Sequence, residues 1–180
     1  MIDMSNIWFK MMALEFRIRD SRHPRAEILQ EVGLKQGFQV LDYGCGPGGY
    51  VLPASKLIGE TGKLYALDVL PIAIKMVKDI VAENGLKNVE TILSDCATGL
   101  PSESVDAVLL YDVFHDLEDQ TTVLAEICRV LKPEGVLSFS DHHLKEQDIL
   151  LSVDDGKLFK WLRKDEHTYS FGKNQKNSSA

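Results

Sequence analysis

The stretch whose reading decides the fold is Val40-Leu41-Asp42-Tyr43-Gly44-Cys45-Gly46-Pro47-Gly48-Gly49-Tyr50. An apolar run from Phe38 to Leu41 reaches an acid and then breaks into a glycine-rich turn. Such a run is a buried strand delivering its end into a tight turn. Glycine lets a backbone turn that sharply and approach a ligand that closely. Helical sequence follows, so N–H groups at a helix N-terminus face whatever sits over the loop. The pattern predicts the nucleotide-binding corner of a doubly wound α/β sheet.

Working outward, strands and helices alternate. Residues 63–68 read as a second strand ending at Asp68, and Pro71 opens a helix that Asn84-Gly85 closes. Residues 89–94 form a third strand, followed by Asp95 and Cys96. The continuous apolar run 105–111 suits a strand buried on both faces. A helix is expected over about residues 120–131, a turn at Lys132-Pro133-Glu134-Gly135, and a fifth strand over residues 136–140. A short helix over residues 144–153 precedes a hairpin of residues 157–163, with Phe159 and Trp161 on one face, and residues 167–171. Alternation of this kind implies parallel strands with right-handed crossovers, and the last hairpin adds an antiparallel member. The expected fold is therefore a doubly wound, mostly parallel seven-stranded sheet with helices on both faces. Upstream, residues 5–19 carry a helical rhythm with Trp8, Phe9 and Phe16 widening the apolar face: a packing helix or a lid. Pro24 suits the first turn of a second helix, ending at Gly33. The chain divides into N-terminal helices (1–37), a core (38–172) and a polar tail (173–180), one domain in all.

Bulk properties narrow the function. With 180 residues and 44% hydrophobic content, the chain can bury one full core. A net charge of −7 argues against general nucleic-acid affinity, which needs clustered Lys and Arg. Its three cysteines, Cys45, Cys96 and Cys128, are far apart and lack C-x-x-C spacing. A disulfide framework or zinc site is not expected, and a reducing cytoplasm is the simpler reading. No apolar run approaches the ~20 residues needed to cross a bilayer. Nor does the start, Met-Ile-Asp-Met-Ser, read as a secretion signal. Nothing here reads out an oligomeric state.

Two ligand classes compete for the corner. Gly44, Gly46 and Gly49 satisfy the G-x-G-x-x-G dinucleotide spelling. Asp42 changes the weighting, because a carboxylate aimed at the loop repels a pyrophosphate and attracts a sulfonium or ammonium group. A purely structural turn is the bland alternative. The D-x-G-x-G-x-G spelling from Asp42 to Gly48 resembles the first motif of class I S-adenosylmethionine (SAM)-dependent methyltransferases. The likeness covers about residues 38–171 and includes Asp68, Asp95 and the stretch Arg129-Val130-Leu131-Lys132-Pro133-Glu134-Gly135. That family usually ends the stretch Pro-Gly-Gly, so Glu134 departs from it.

The resemblance implies SAM as cofactor and a small-molecule methyl acceptor, with neither nucleic acid nor membrane as partner. It assigns Asp68 to the ribose hydroxyls and Asp95 to the adenine amino group. The Cys96 amide goes to a ring nitrogen, and Asp42 to the methionine ammonium. Backbone from Gly44 through Cys45 and Gly46 to Gly48 would pass against the sugar and methionine. Val69 and Leu70 would pack on adenine, and the Tyr111 carbonyl would face the ammonium. Five strand ends carry acids: Asp42, Asp68, Asp95, Asp112 and Asp141. In open α/β sheets ligands bind beyond those ends, so the acids should converge.

Transfer of an activated methyl group needs alignment above all, and a base only where the acceptor loses a proton. The candidates are His115, Asp112 and His142, with Asp116 and His143 beside them. A loop histidine can equally cap a helix, and adjacent His142 and His143 seldom point at one atom. Asp112, His115, Asp116, Asp141 and His142 would also suit magnesium or manganese. Asp112 and Asp116 equally suit a helix N-terminus, and no metal is expected. The rival functions are a non-catalytic SAM-binding module and an NAD(P)-binding oxidoreductase.

Overall fold

The computed structural model describes residues 25–154 and 157–174. The expected helix over residues 5–19, the role of Pro24 and tail residues 175–180 lie outside them. The elements run α1 (Arg25–Val32), β1 (Gln39–Tyr43), α2 (Val51–Ile58), β2 (Lys63–Asp68), α3 (Pro71–Asn84), β3 (Val89–Leu93) and β4 (Val105–Tyr111). A 3-10 turn (Phe114–Asp116) follows, then α4 (Gln120–Val130), β5 (Leu131–Ser140), α5 (Glu146–Val153), β6 (Phe159–Lys164) and β7 (Tyr169–Lys173).

The strands form one seven-stranded sheet in the order β3-β2-β1-β4-β5-β7-β6. Neighbours from β3 to β5 are parallel, and β7 is antiparallel to both β5 and β6. Strand order therefore reverses between β1 and β4, which is where a crevice opens in such folds. Side-chain alternation along β1 sends Leu41 and Tyr43 to one face and Val40 to the other. On the first face they join Leu110, Phe139 and Phe171 beneath α4 and α5. On the second, Val40, Ala66 and Leu109 pack beneath α1, α2 and α3. Phe114, Phe139 and Phe171 stack edge to face in series, at centroid distances of 5.2 and 6.3 Å. Aromatic pairs of this kind add about 0.5–1.5 kcal/mol each beyond the area they bury.

Local chemistry explains the boundaries. Pro71 opens α3, and Gly85 ends it in a left-handed conformation at φ +62°. At the start of α4 the capping acid is Asp119, whose carboxylate accepts from the Thr122 amide (2.9 Å) and hydroxyl (2.6 Å). Asp112 and Asp116, the acids the sequence offers for this purpose, stand elsewhere.

Three expectations are corrected. Strand β1 does not stop at Leu41; it continues through Tyr43, because Asp42 pairs with Ala66 on one side and Leu109 on the other. The turn expected at residues 132–135 is an irregularity inside β5. Leu131 already pairs with Val105 and the next pair is Ala107 with Val136. Lys132 is anchored there to Asp106 at 2.7 Å. The hairpin strand expected over residues 157–163 runs Phe159–Lys164, with Phe159 and Trp161 opposite Lys173 and Phe171, and on this outer strand Phe159 is buried while Trp161 is 48% exposed.

Two polar links hold the helical layer that carries α1 and α2. Glu31 of α1 takes hydrogen bonds from the β6–β7 turn, from Thr168 Oγ1 at 2.8 Å and with His167 Nδ1 at 2.7 Å. Burial opposes charge on Glu31, yet these bonds hold its carboxyl below the usual range. Asn88, before β3, donates to the carbonyls of Ser55 (3.0 Å) and Gly59 (2.8 Å) and accepts from Ser55 Oγ (2.6 Å). Replacing Asn88 with Ala leaves the Ser55 hydroxyl without its acceptor and takes one of two donors from each of the Ser55 and Gly59 carbonyls. The expected cost is about 1–3 kcal/mol, read as a lower urea midpoint with unchanged slope. An unchanged midpoint would contradict this account of how α2 is fixed.

Candidate active site

The carboxyl ends of β1, β2 and β4 open into a cleft of about 260 Å³. Its walls include Asp42, Gly44, Cys45, Gly46, Asp68, Val69, Tyr111 and Asp112, all expected from the sequence. Asp42 belongs to the middle strand and is 3% exposed. Its Oδ2 is buried with no hydrogen-bond partner among the described residues. Burial pushes the Asp42 carboxyl up to about 7; Arg25 opposes the rise and Asp68 adds to it. A buried acid with an unanswered oxygen on a cleft wall fits a ligand that brings a positive charge or a donor.

Asp68 organises the turn. Its Oδ2 accepts from the Gly46 amide and its Oδ1 from the Leu70 amide, both at 2.8 Å. Each carboxylate oxygen has a second acceptor position, so Asp68 can fix the loop and still take two hydroxyl donors. The glycines divide by function. Gly44 has φ +76°, and a Cβ there would come within 2.7 Å of Val113. A Cβ on Gly46 would meet no protein atom within 4 Å. Gly48 departs from the expectation: it does not line the cleft, and a Cβ would meet Ile80 and Val77 of α3 at 2.9 and 3.0 Å. Its smoothness serves helix packing.

Asp95 and Cys96 line an adjoining cleft of about 450 Å³, which shares Val69, Asp116 and Leu117 with the first. Tyr43, on the opposite face of β1 from Asp42, donates its hydroxyl to the Asp95 carbonyl at 3.1 Å. Glu126 of α4 holds the loop after Cys96, accepting from the Thr98 amide (2.9 Å) and hydroxyl (2.6 Å). Arg129, bonded to Glu126, is the main reason its carboxyl is lowered to about 2. The Cys96 amide, expected to face adenine, points to Ser94 Oγ at 3.3 Å.

Residues 34–176 match a family model described as "Methyltransferase domain". The solved structure of a SAM-dependent methyltransferase from Aquifex aeolicus matches with a TM-score of 0.72 and 33% identity, covering 82% of this chain and 86% of that one. The chain belongs to the SAM-dependent methyltransferases. A demethylmenaquinone methyltransferase from Lactococcus lactis is 35% identical over 113 residues, 62% of this chain and 44% of that protein. An aklanonic acid methyltransferase from a Streptomyces strain is 33% identical over 106 residues, 58% of this chain and 48% of that protein. This chain thus matches these two relatives over about half of their length. No helix among the described residues is long and apolar enough to cross a membrane.

In this methyltransferase the side beyond β4 and β5 holds three histidines and two buried or half-buried acids. Asp141 accepts from the backbone amides of His115 (3.1 Å) and His143 (3.0 Å), and its oxygens lie 2.9–3.0 Å from His115 Nδ1. An ionised carboxylate only accepts, so Nδ1 carries the hydrogen and a neutral His115 ring keeps its lone pair on Nε2. That Nε2 lies 3.4 Å from Asp116, which lines both clefts. Asp112 sits at φ +54° and accepts from the His142 amide at 3.1 Å; His142 Nδ1 lies 2.7 Å from the same oxygen. The His143 ring lies against both others, at centroid distances of 4.1 Å to His115 and 4.0 Å to His142. The His142 and His143 rings are tilted at 43° to one another, and of the two it is the His142 Nδ1 that bonds Asp112.

Of the strand-end acids, Asp42, Asp68 and Asp112 meet in the first cleft, Asp95 in the adjoining one, and Asp141 in neither. None of the three imidazoles lines either cleft. Asp112, Asp141 and His142 place ligand atoms within 4.8 Å of one another, a spacing open to a metal ion. Each already has a hydrogen-bonding partner, which accounts for the cluster without one. Sequence reading missed the lining residues Arg25, Tyr50, Val113 and Leu117; for Arg25, nothing near the start of α1 marks it as a ligand.

Asp42 gives a pH prediction. Its folded pKa is raised, so the folded state keeps a proton that the unfolded chain releases, and stability falls as pH climbs from near 4 to about 7. Asp42→Asn should therefore raise the melting temperature of the ligand-free protein at pH 8 by several degrees and change it little at pH 4. An equal shift at both pH values would show that the acid is not buried uncompensated.

Proposed function

We propose that this chain transfers the methyl group of SAM to a small quinone-type acceptor. The carrying observation is the buried, unpartnered Asp42 oxygen on the wall of a cleft that also presents Asp68. SAM supplies an already activated methyl group on a positively charged sulfur. Four carboxylates line the main cleft, Asp42, Asp68, Asp112 and Asp116. That field favours a cation and disfavours a dinucleotide pyrophosphate. Asp68 receives the ribose hydroxyls, Asp95 the adenine amino group, and Asp42 the ammonium. Backbone at Gly44, Cys45 and Gly46 lies against the methionine and sugar. Val69 and Leu70, 58% and 42% exposed beside the glycine loop, offer apolar surface for a flat ring.

The relatives' names, demethylmenaquinone and aklanonic acid methyltransferases, and the apolar Val113 and Leu117 on the cleft wall support this acceptor class. His115 is the group to take a proton, at Nε2, with Asp141 holding the ring by Nδ1. Asp112, with His142 bonded to it, is the acid on the acceptor side. A non-catalytic SAM-binding module is the second reading, and the observation in its favour is that the imidazoles do not line the clefts.

Calorimetry with SAM and NADH, followed by methyl transfer from labelled SAM to a panel of reduced quinones, tests the proposal. SAM binding without transfer to any of them favours the module; saturation by NADH alone overturns both. Asp68→Ala should weaken SAM binding by tenfold or more, on the order expected for a lost charged acceptor. Because Asp68 also fixes the loop, Asp68→Asn should lose less, and equal affinity in all three proteins would remove Asp68 from the ribose. His115→Ala should lower turnover by about 100-fold or more while SAM affinity stays near wild type. Wild-type turnover in that variant would leave His115 a purely structural ring.

A further inference from the structure

The main cleft contains one cation among its described lining residues, Arg25, facing four acids. Arg25 opens α1, the helix that Glu31 ties to the β6–β7 turn. Its guanidinium lies over the Tyr50 ring, with the central carbon 4.4 Å from the centroid. Tyr50 in turn lies against Tyr111, at 4.9 Å between centroids. The guanidinium also rests on Gly49, where a Cβ would fall 2.0 Å from Nη1. Any side chain at position 49 would evict it. The group thus lies against both a glycine and an aromatic ring, on the same cleft as Asp42, and its charge bears on that acid.

A methyl donor built on methionine ends in a zwitterion, an ammonium and a carboxylate on one carbon. The ammonium suits Asp42 Oδ2. The carboxylate has no welcome from Asp42, Asp68, Asp112 or Asp116. A planar guanidinium meets a carboxylate with two parallel N–H donors, which a lysine cannot do. Resting on the methyltransferase reading above, we infer that Arg25 binds the α-carboxylate of the methyl donor, so that Arg25 and Asp42 together clamp the two charges of its amino-acid end. This makes α1 part of the cofactor seat. It also separates the amino-acid end from the nucleoside end, which Asp68 and Asp95 hold.

Decarboxylated SAM tests this directly, since it keeps the sulfonium, nucleoside and amine and lacks only the carboxylate. The wild-type protein should bind SAM about 10- to 100-fold more tightly than decarboxylated SAM. Arg25→Gln should lose that factor for SAM and keep its affinity for the decarboxylated analogue, and Arg25→Lys should recover part of it. If Arg25 only neutralises Asp42, both ligands change by the same factor in the variants, and the clamp is overturned. Equal wild-type affinities for the two ligands overturn it without any variant, whether or not the variants fold. Failure of the wild-type protein to bind either ligand overturns the cofactor reading itself, a result distinguishable from the loss of the clamp alone.

Discussion

A carboxylate buried in the middle strand of the sheet is the constraint on which the site rests. Asp42 has backbone pairing on both sides, so its strand is secure, but one of its oxygens has no partner. Leaving a buried polar atom unanswered is costly, and in the free protein the acid relieves the cost by holding its proton near neutrality. The neighbourhood suits a charged ligand. Asp68 locks the glycine turn through two amides, Gly46 leaves open space, and Gly44 lets Val113 close in from behind. Each of these would be wasted on an ordinary loop.

The histidine cluster is a product of sheet order. Strands β4 and β5 are neighbours, with Tyr111 opposite Ser140, so the residues that follow them emerge side by side. Asp112 then reaches the His142 amide, and Asp141 reaches the His115 amide, in a reciprocal exchange between the two loops. Two acids fix two imidazoles, and the third ring fills the space between. The arrangement holds the His115 ring by its Nδ1, which is the kind of orientation that proton transfer requires.

Much of the fold could be read from the chain because its signals are local. The apolar run at 105–111 and the Lys63–Asp68 strand came out with the expected ends, and Pro71 and Asn84-Gly85 bracket α3 as their chemistry dictates. The errors arose where pairing across the sheet overrides local chemistry. Lys132 to Gly135 spells a turn, yet Leu131 finds Val105 and Lys132 finds Asp106, so the strand begins early and bulges. Asp42 read as the acid that ends its strand, and the structure carries the strand one residue further, to Tyr43. Within the site, the cofactor wall was legible as acids at strand ends. Arg25 was not, since its place depends on α1 folding back over Gly49 and Tyr50, a contact between residues far apart in sequence. The anchoring role of Asp141 depends likewise on the adjacency of β4 and β5.

The order of strands in space has a consequence for how the molecule is completed. The strand nearest the C-terminus, β7, does not sit at the rim but is inserted between β5 and β6. Phe171 on that strand closes the aromatic series begun by Phe114 and Phe139. A nascent chain that has emerged only as far as β6 therefore has an open ladder along β5 and an uncovered Phe139. During synthesis this half of the molecule must wait for β7, exposed to pairing with other chains, while the half bearing the glycine turn already has all its strands in hand.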